Sequence, residues 1–154
     1  MPGKWPPDEL PGLNDSTCRI TSPDTPIYNC IAWAAKNNSR WWWPDPLGIG
    51  YWPLAERTAT VDCFVKLFES LGYSICLNAS REEGIEKVAI FGHKAPDRQA
   101  TPTHAALQLS NGEWTSKLGP FEDVVHPDLY AVDGPVYGRP LVFMSRPRSA
   151  RTNR

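Results

Sequence analysis

Proline positions limit what the first third of this chain can fold into. Sixteen of its 154 residues are proline, about twice the usual share of roughly 5%. Because proline fixes φ and lacks an amide proton, it interrupts helices and central strands. Six prolines lie within residues 1–26: Pro2, Pro6, Pro7, Pro11, Pro23 and Pro26. We therefore predict that residues 1–26 form a proline-rich arm with short turns, held to the surface by Leu10, Leu13 and Ile20.

Residues 41–53 form a second segment in which regular structure is excluded, because they contain three prolines and two glycines. They also carry the rings of Trp41, Trp42, Trp43, Tyr51 and Trp52. This pattern predicts a long aromatic loop. Two interpretations stay open: the rings fold back as a satellite core, or they line a binding cleft together with Asn29 and Trp114.

Composition and charge indicate one globular domain. Hydrophobic residues make up 41% of the chain, and the formal net charge is −1, so nothing attracts nucleic acid outside a basic disordered tail predicted over residues 146–154. No apolar run approaches the roughly 18 residues of a membrane span. The first residues lack the apolar region of a secretory signal. We expect a protein of the cytoplasm, or one exported without a standard signal peptide.

The four cysteines, Cys18, Cys30, Cys63 and Cys76, do not have the spacing of a metal site. No CxxC pair occurs, and the histidines show no ligand spacing either. We therefore expect no metal and no cofactor. In the absence of a signal peptide we expect reduced thiols.

Two helices are predicted before residue 73. The first covers residues 28–38, with Asn29 as its N-cap and Cys30 as its first helical residue. The second begins after Thr60, follows helical periodicity, and ends at Gly72.

The rest of the chain shows strand patterns. Five strands are predicted, over residues 73–77, 87–91, 103–109, 113–118 and 138–144. Asn111 and Gly112 predict a two-residue hairpin turn, and residues 121–132 predict a short helix or turn. The last strand is expected at a sheet edge, because Pro140 cannot donate a hydrogen bond. Helices followed by strands predict a single α+β domain over residues 27–145.

Cys30 and His104 give the strongest chemical signal. At a helix N-terminus, the helix dipole and unpaired amides favour a thiolate and lower the thiol pKa. His104 follows at the start of a strand. Nucleophilic cysteines need an imidazole within hydrogen-bond reach and a third group that orients it.

Several motifs resemble known families. Tyr28-Asn-Cys-Ile-Ala-Trp-Ala resembles the nucleophile helix of CHAP-type amidases. Thr103-His-Ala-Ala, with Gly112-Glu-Trp-Thr-Ser-Lys-Leu-Gly119, is similar to the histidine strand and the next strand of papain-like peptidases. The blocks YNCIAWA, WWWPDP, YWP, PTHAA and GxWTSKLG resemble a short uncharacterised bacterial family across roughly residues 27–145.

The papain-like resemblance implies an α+β fold whose N-terminal helices pack on an antiparallel sheet of about five strands. It also implies a peptide or protein substrate. One feature departs from that pattern: residues 22–29 contain no glutamine to form an oxyanion hole. The backbone amide of Cys30 remains as a donor.

The group that orients the imidazole stays open among Thr115, Ser116 and His126. The predicted two-residue turn puts Thr115 and Lys117 on the face of His104, with Ser116 pointing away unless a bulge intervenes.

Two functions are compatible with these features. The first is a cysteine-dependent hydrolase or acyl transferase (a peptidase, amidase or deamidase) in which Cys30 and His104 act on an amide bond. The second is a non-catalytic binding or interaction module of papain-like shape that uses the Trp-rich loop, including a component of a bacterial toxin or defence system.

Overall fold

The computed structural model describes residues 3–149, which contain one seven-stranded antiparallel sheet and two α-helices. The strands are β1 (Arg19–Ser22), β2 (Ser74–Cys76), β3 (Ile85–His93), β4 (Thr101–Gln108), β5 (Trp114–Lys117), β6 (Asp123–His126) and β7 (Arg139–Pro147). The helices are α1 (Cys30–Ala34) and α2 (Val61–Ser70), with a 3-10 helix at Leu129–Val132. The order in the sheet is β1-β6-β5-β4-β3-β7-β2.

This architecture overturns the predicted papain-like α+β fold with about five strands. Two strands were missed. β6 lies in the segment predicted as a short helix or turn, and all four of its residues are buried, so it lacks the alternation that identifies a strand. β1 lies inside the predicted arm, where it pairs with β6. The protein is therefore richer in β-structure than its sequence pattern predicts.

The sheet separates two apolar clusters, because side chains alternate between its faces. On one face, which we call the helix side, Val88, Ile90, Ala105 and Leu107 pack with α1 and α2. On the other, the arm side, Ala89, Phe91 and Ala106 pack with Trp5, Leu10 and Leu13. Ile20 packs against the same arm-side cluster.

Both predicted helices are confirmed, although α1 is shorter than predicted. The side-chain oxygen of Asn29 caps α1 by accepting from Ala32 N at 3.2 Å, and Thr60 caps α2 by accepting from Cys63 N at 3.1 Å. α2 ends before Gly72, which has a φ of 96°. Lys36 has a φ of 65° directly after α1, a left-handed conformation that stops the helix.

The β4–β5 hairpin has a different turn from the predicted one. Leu109 N donates to Glu113 O at 2.7 Å, which leaves the three residues 110–112 in the loop. Gly112 closes it with a φ of 94°, as expected for a three-residue hairpin with a glycine bulge. Leu107 therefore pairs with Thr115 and Gln108 with Trp114. The register differs by one residue from the two-residue turn.

β7 is not an edge strand, which corrects a second prediction. It lies between β3 and β2, and β2 forms the edge. Proline is tolerated at Pro140 because the pairing with β3 shifts there, between Ile90–Val142 and Phe91–Pro140. A bulge removes the demand for a regular ladder donor.

The predicted disordered tail is also wrong at its first residues. Arg146 and Arg148 form ion pairs with Glu86 at 2.8 and 3.2 Å, and Lys36 joins them at 2.6 Å. Glu86 is 1% exposed. These partners hold the pKa of its carboxyl below the ordinary value although burial alone would raise it. The remaining predicted tail, residues 150–154, lies outside the described residues.

The aromatic loop 41–53 contributes to the helix-side core. Trp42 and Trp52 are buried, and Trp43 packs edge-on against Phe64 with ring centroids 5.3 Å apart. Asn29 ties this loop to α1: its Nδ2 donates to Trp42 O at 2.7 Å, and its Oδ1 accepts from Trp42 N at 3.1 Å. The same side chain therefore caps the helix and fixes the loop.

We expect Asn29→Ala to lower the free energy of unfolding by about 3 kcal/mol, because it removes a helix cap and leaves two buried backbone groups of Trp42 without partners. The matched control is Thr60→Ala, which removes a cap and an exposed contact with the Thr58 hydroxyl and should cost about 1 kcal/mol. Urea denaturation of both variants measures the difference. Equal losses would show that the contact with Trp42 adds nothing.

Candidate functional site

Cys30 lies in the first turn of α1, with its sulfur directed at β4. Sγ is 3.9 Å from Thr103 O, and the backbone amides of Ala105, Ile31 and Cys30 also face it. The side chain is buried. Burial raises the pKa of the thiol to about 11, and the three amides and the Lys117 ammonium only partly oppose it.

The predicted lowering of the Cys30 pKa is therefore wrong for this conformation. α1 has only five residues, so few peptide dipoles align behind the sulfur. Desolvation, which disfavours the charged form, is the larger effect. The thiol is neutral at neutral pH.

His104 extends from β4 to the arm side and is fully buried. Its ring stacks on Tyr137 with centroids 4.0 Å apart and meets Phe91 edge-on at 5.2 Å. Nε2 is 2.9 Å from Ser116 Oγ. Burial holds the pKa of His104 well below its usual range, and the nearby His126 acts in the same direction. The imidazole is therefore neutral.

A buried hydrogen-bond chain determines the tautomer of His104. His126 Nδ1 is 2.7 Å from the carbonyl oxygen of Asp128, which can only accept, so Nδ1 carries the proton. His126 Nε2 must then accept from the hydroxyl of Ser116, 2.9 Å away. The Ser116 oxygen in turn accepts from His104 Nε2–H. His104 Nδ1 is left unprotonated.

The lone pair of His104 Nδ1 has no hydrogen-bond partner among the described residues. Sγ of Cys30 contacts the peptide groups on either side of this histidine, at Thr103 and Ala105. No hydrogen bond joins the thiol to the imidazole, because Cys30 packs in the helix-side cluster and the ring packs against arm-side residues. The backbone pairing of β4 with β5 covers only Leu107 and Gln108, so α1 meets β4 at a stretch that pairs with β3 but not with β5.

The observed register explains which predicted residues meet His104. Ser116 contacts it, whereas Thr115 points to the helix side, where it accepts from Trp33 Nε1 at 2.9 Å and donates to Val124 O at 3.1 Å. Lys117 also points away, contrary to the predicted register. Its ammonium donates to Thr25 O and Gly119 O.

The other predicted binding residues are distributed over both sides of the sheet. Asn29 is occupied by α1 and Trp42, as described above. Trp41 is partly exposed at 37%, and Tyr51 stacks at a tilt on Trp42 with centroids 5.0 Å apart. Trp114 is buried on the arm side. Sequence reasoning missed Tyr137, which stacks on His104 from an irregular segment whose sequence carries no pattern of its own.

Cys30 and His104 line neither of two grooves that open at the surface of residues 3–149. The larger, of about 640 Å³, lies on the arm side beside Gln108, Trp114 and Phe143. The smaller, of about 460 Å³, lies beside Trp33 and Lys36 on the helix side.

Within residues 3–149, no group of three or more His, Cys, Asp or Glu side chains is arranged to hold a metal ion. In the same part of the chain, no helix has the length and apolar character needed to cross a membrane.

The fold and the buried cluster define a class of β-rich domain: one twisted antiparallel sheet with a cysteine, a histidine and a serine packed around its fourth strand. The chain belongs to the family described as Domain of unknown function (DUF7689), whose model matches residues 19–145. No curated protein and no solved structure matches the chain. Membership of an uncharacterised family is therefore confirmed, while no match supports the resemblance to papain-like enzymes.

The two buried histidines make stability depend on pH. An unfolded histidine binds a proton below about pH 6.5, whereas burial lowers the pKa of both His104 and His126 in the folded protein. The contribution of these two histidines to the free energy of unfolding is therefore fully present above pH 6.5. It is lost as the pH falls, by up to about 1.4 kcal/mol per pH unit for each histidine. We expect urea denaturation to show a loss of about 1–2 kcal/mol between pH 6.5 and 5.5.

The control is His93→Gln, because His93 is exposed. This variant should show the same loss between pH 6.5 and 5.5. A free energy of unfolding that stays constant between pH 6.5 and 5.5 would contradict the claim that His104 and His126 are buried in the neutral form.

Proposed function

We propose that this protein is a cysteine-dependent hydrolase or acyl transferase that acts on an amide bond, with Cys30 as nucleophile and His104 as base. The observation that carries the proposal is the hydrogen-bond chain through Ser116 and His126. It orients His104 with an unprotonated, unpartnered Nδ1. A general base needs a lone pair held ready in this way. Substrates are amides of peptides or proteins.

The reaction would begin from a neutral thiol and a neutral imidazole. It requires a rearrangement that turns the thiol from Thr103 O to His104 Nδ1. As Sγ attacks the carbonyl carbon, the thiol proton would then move to Nδ1 and the carbonyl electron pair to the oxygen. The resulting imidazolium gives that proton to the leaving amine, and a thioester remains on Cys30. Water, or an amine in transfer, then attacks the thioester while His104 takes its proton. The C–S bond breaks with its electron pair going to Sγ, and the imidazolium returns the proton to that sulfur.

The order of the two pKa values supports general-base catalysis rather than a preformed ion pair. The thiol pKa is raised to about 11 and the imidazole pKa is lowered, so the proton stays on sulfur until the bond to carbon forms. The imidazolium that follows is stabilised by Ser116, whose oxygen accepts from Nε2–H. Ser116 is therefore a positioning residue, and His126 supports it from behind.

Backbone amides are the available donors for the oxyanion. The amides of Cys30 and Ile31 face the sulfur, and in the first turn of a helix they have no intrahelical acceptor. The Asn29 side chain is not free for this task, because α1 and Trp42 occupy it.

The second candidate is a non-catalytic binding domain, favoured by the burial of the thiol. Cys30 is 5% exposed, and both grooves lie elsewhere. In that case Cys30 and His104 are packing residues. The Trp-rich loop would contribute mainly through its exposed apolar residues, Leu47 and Ile49.

Alkylation rates distinguish the two candidates. We expect iodoacetamide at pH 8 to modify Cys30 at least about 10-fold faster than Cys63, a buried thiol whose sulfur donates to Glu56 O. Peptide mass spectrometry measures each cysteine in the same sample. His104→Gln should reduce the Cys30 rate to that of Cys63, because no base remains.

Ser116→Ala provides a second variant in case His104→Gln does not fold. It should lower the Cys30 rate about 10-fold, because the tautomer of His104 is no longer held. Thr115→Ala is the matched control: it removes buried hydrogen bonds from the same strand on the other side of the sheet and should leave the rate unchanged. A Cys30 no more reactive than Cys63 would overturn the proposal, as would equal effects of Ser116→Ala and Thr115→Ala.

A further inference from the structure

We infer that the arm-side groove binds the C-terminal residue of a peptide, or an equivalent N-acylated apolar amino acid with a free carboxylate. This site lies apart from Cys30, and the inference does not rest on thiol chemistry. Its floor is formed by side chains of three strands that share the arm-side face: Gln108 on β4, Trp114 on β5 and Phe143 on β7. Its volume of about 640 Å³ is in the range of small-molecule sites.

Gln108 is the polar group that points to a ligand. Its side chain is 2% exposed, and its Nε2 donates to Ala79 O at 3.0 Å. Because a carbonyl oxygen can only accept, this bond determines which end of the amide is nitrogen. Gln108 lines the groove, and its Oε1 is a buried acceptor that has no partner among the described residues. A buried acceptor of this kind is complemented by a neutral N–H donor.

The charged residues of the groove favour one carboxylate. Arg139 is exposed at its rim, with no hydrogen bond or ion pair shown for its guanidinium, so that group can bind a carboxylate with two parallel hydrogen bonds. Arg81 is already engaged by Ser110 O and Glu83. Asp128, which accepts from Ala131 N, and Asp133 also line the groove, and their negative charges disfavour a second acidic group on the ligand.

Aromatic surface supplies the remaining part of the site. Trp114 and Phe143 line the groove, and Tyr130 stands beside them with 76% of its surface exposed. An apolar or aromatic ligand side chain would pack here. The last residue of a peptide chain carries all three matching groups on one carbon atom: an N–H donor, a carboxylate and an apolar side chain.

The first experiment is an NMR titration of ¹⁵N-labelled protein with N-acetyl-L-phenylalanine. We expect saturable shifts of the Gln108 side-chain amide and the Trp114 indole, with a Kd of about 1 mM or tighter, as usual for a ligand of about 15 non-hydrogen atoms. The methyl ester, which lacks the carboxylate, should bind at least about 10-fold more weakly. Free phenylalanine, which replaces the neutral N–H donor with an ammonium, should also bind more weakly.

Variants assign the contacts. Arg139→Gln should raise the Kd for N-acetyl-L-phenylalanine at least about 10-fold and leave the weak binding of the ester unchanged. Arg98→Gln is the matched control, because Arg98 is exposed on a loop outside the groove, and it should bind as the unmodified protein does. Gln108→Leu should weaken both ligands, since both carry the N–H donor. Cys30→Ser should leave all of these affinities unchanged, which separates this site from the proposed thiol chemistry.

Two results would overturn the inference. One is the absence of saturable shifts at Gln108 and Trp114, which would mean that only water meets Oε1. The other is an equal affinity of Arg139→Gln and Arg98→Gln.

Discussion

The three-residue turn that ends at Gly112 determines how the polar interior of this protein is arranged. With Leu109 bonded to Glu113, every side chain of β5 takes the face opposite to the one it would have after a two-residue turn. Ser116 therefore meets His104, and the hydrogen bonds continue to His126. Thr115 bonds to Trp33 on the helix side. A change of one residue in the loop would bring a lysine to the histidine and leave the serine without it.

Burial then decides the chemistry available to the cysteine and the histidine. Both side chains are neutral, because desolvation disfavours the thiolate and the imidazolium more than their neighbours favour them. Glu86 is the contrasting case: it is equally buried, yet it remains charged because three cationic side chains surround it. At Glu86 the buried charge is compensated by these ion pairs. Around His104 it uses a directional chain of neutral hydrogen bonds instead.

Local signals identified much of the secondary structure. Asn29 and Thr60 are capping residues, and both begin helices. β3 and β4 carry enough β-branched and apolar residues to be recognised. β6 was missed because a four-residue strand buried on both faces shows no alternation, and β7 was placed at an edge because a bulge at Pro140 is invisible in sequence. Of the candidate site, Cys30 and His104 were found from their residue types and positions. The contact of His104 with Tyr137 and the buried acceptor of Gln108 had no local signal, since both depend on segments distant in the chain.

The sequence by itself therefore determined the capped start of α1 at Cys30, the strand that carries His104, the aromatic loop that follows the helix, and the family. These features depend on residues within a few positions of one another. Tertiary structure decided which side of the sheet each group occupies, which groups lie in water, and hence their protonation. Those properties follow from strand register and burial, which are set by contacts between residues far apart in the chain.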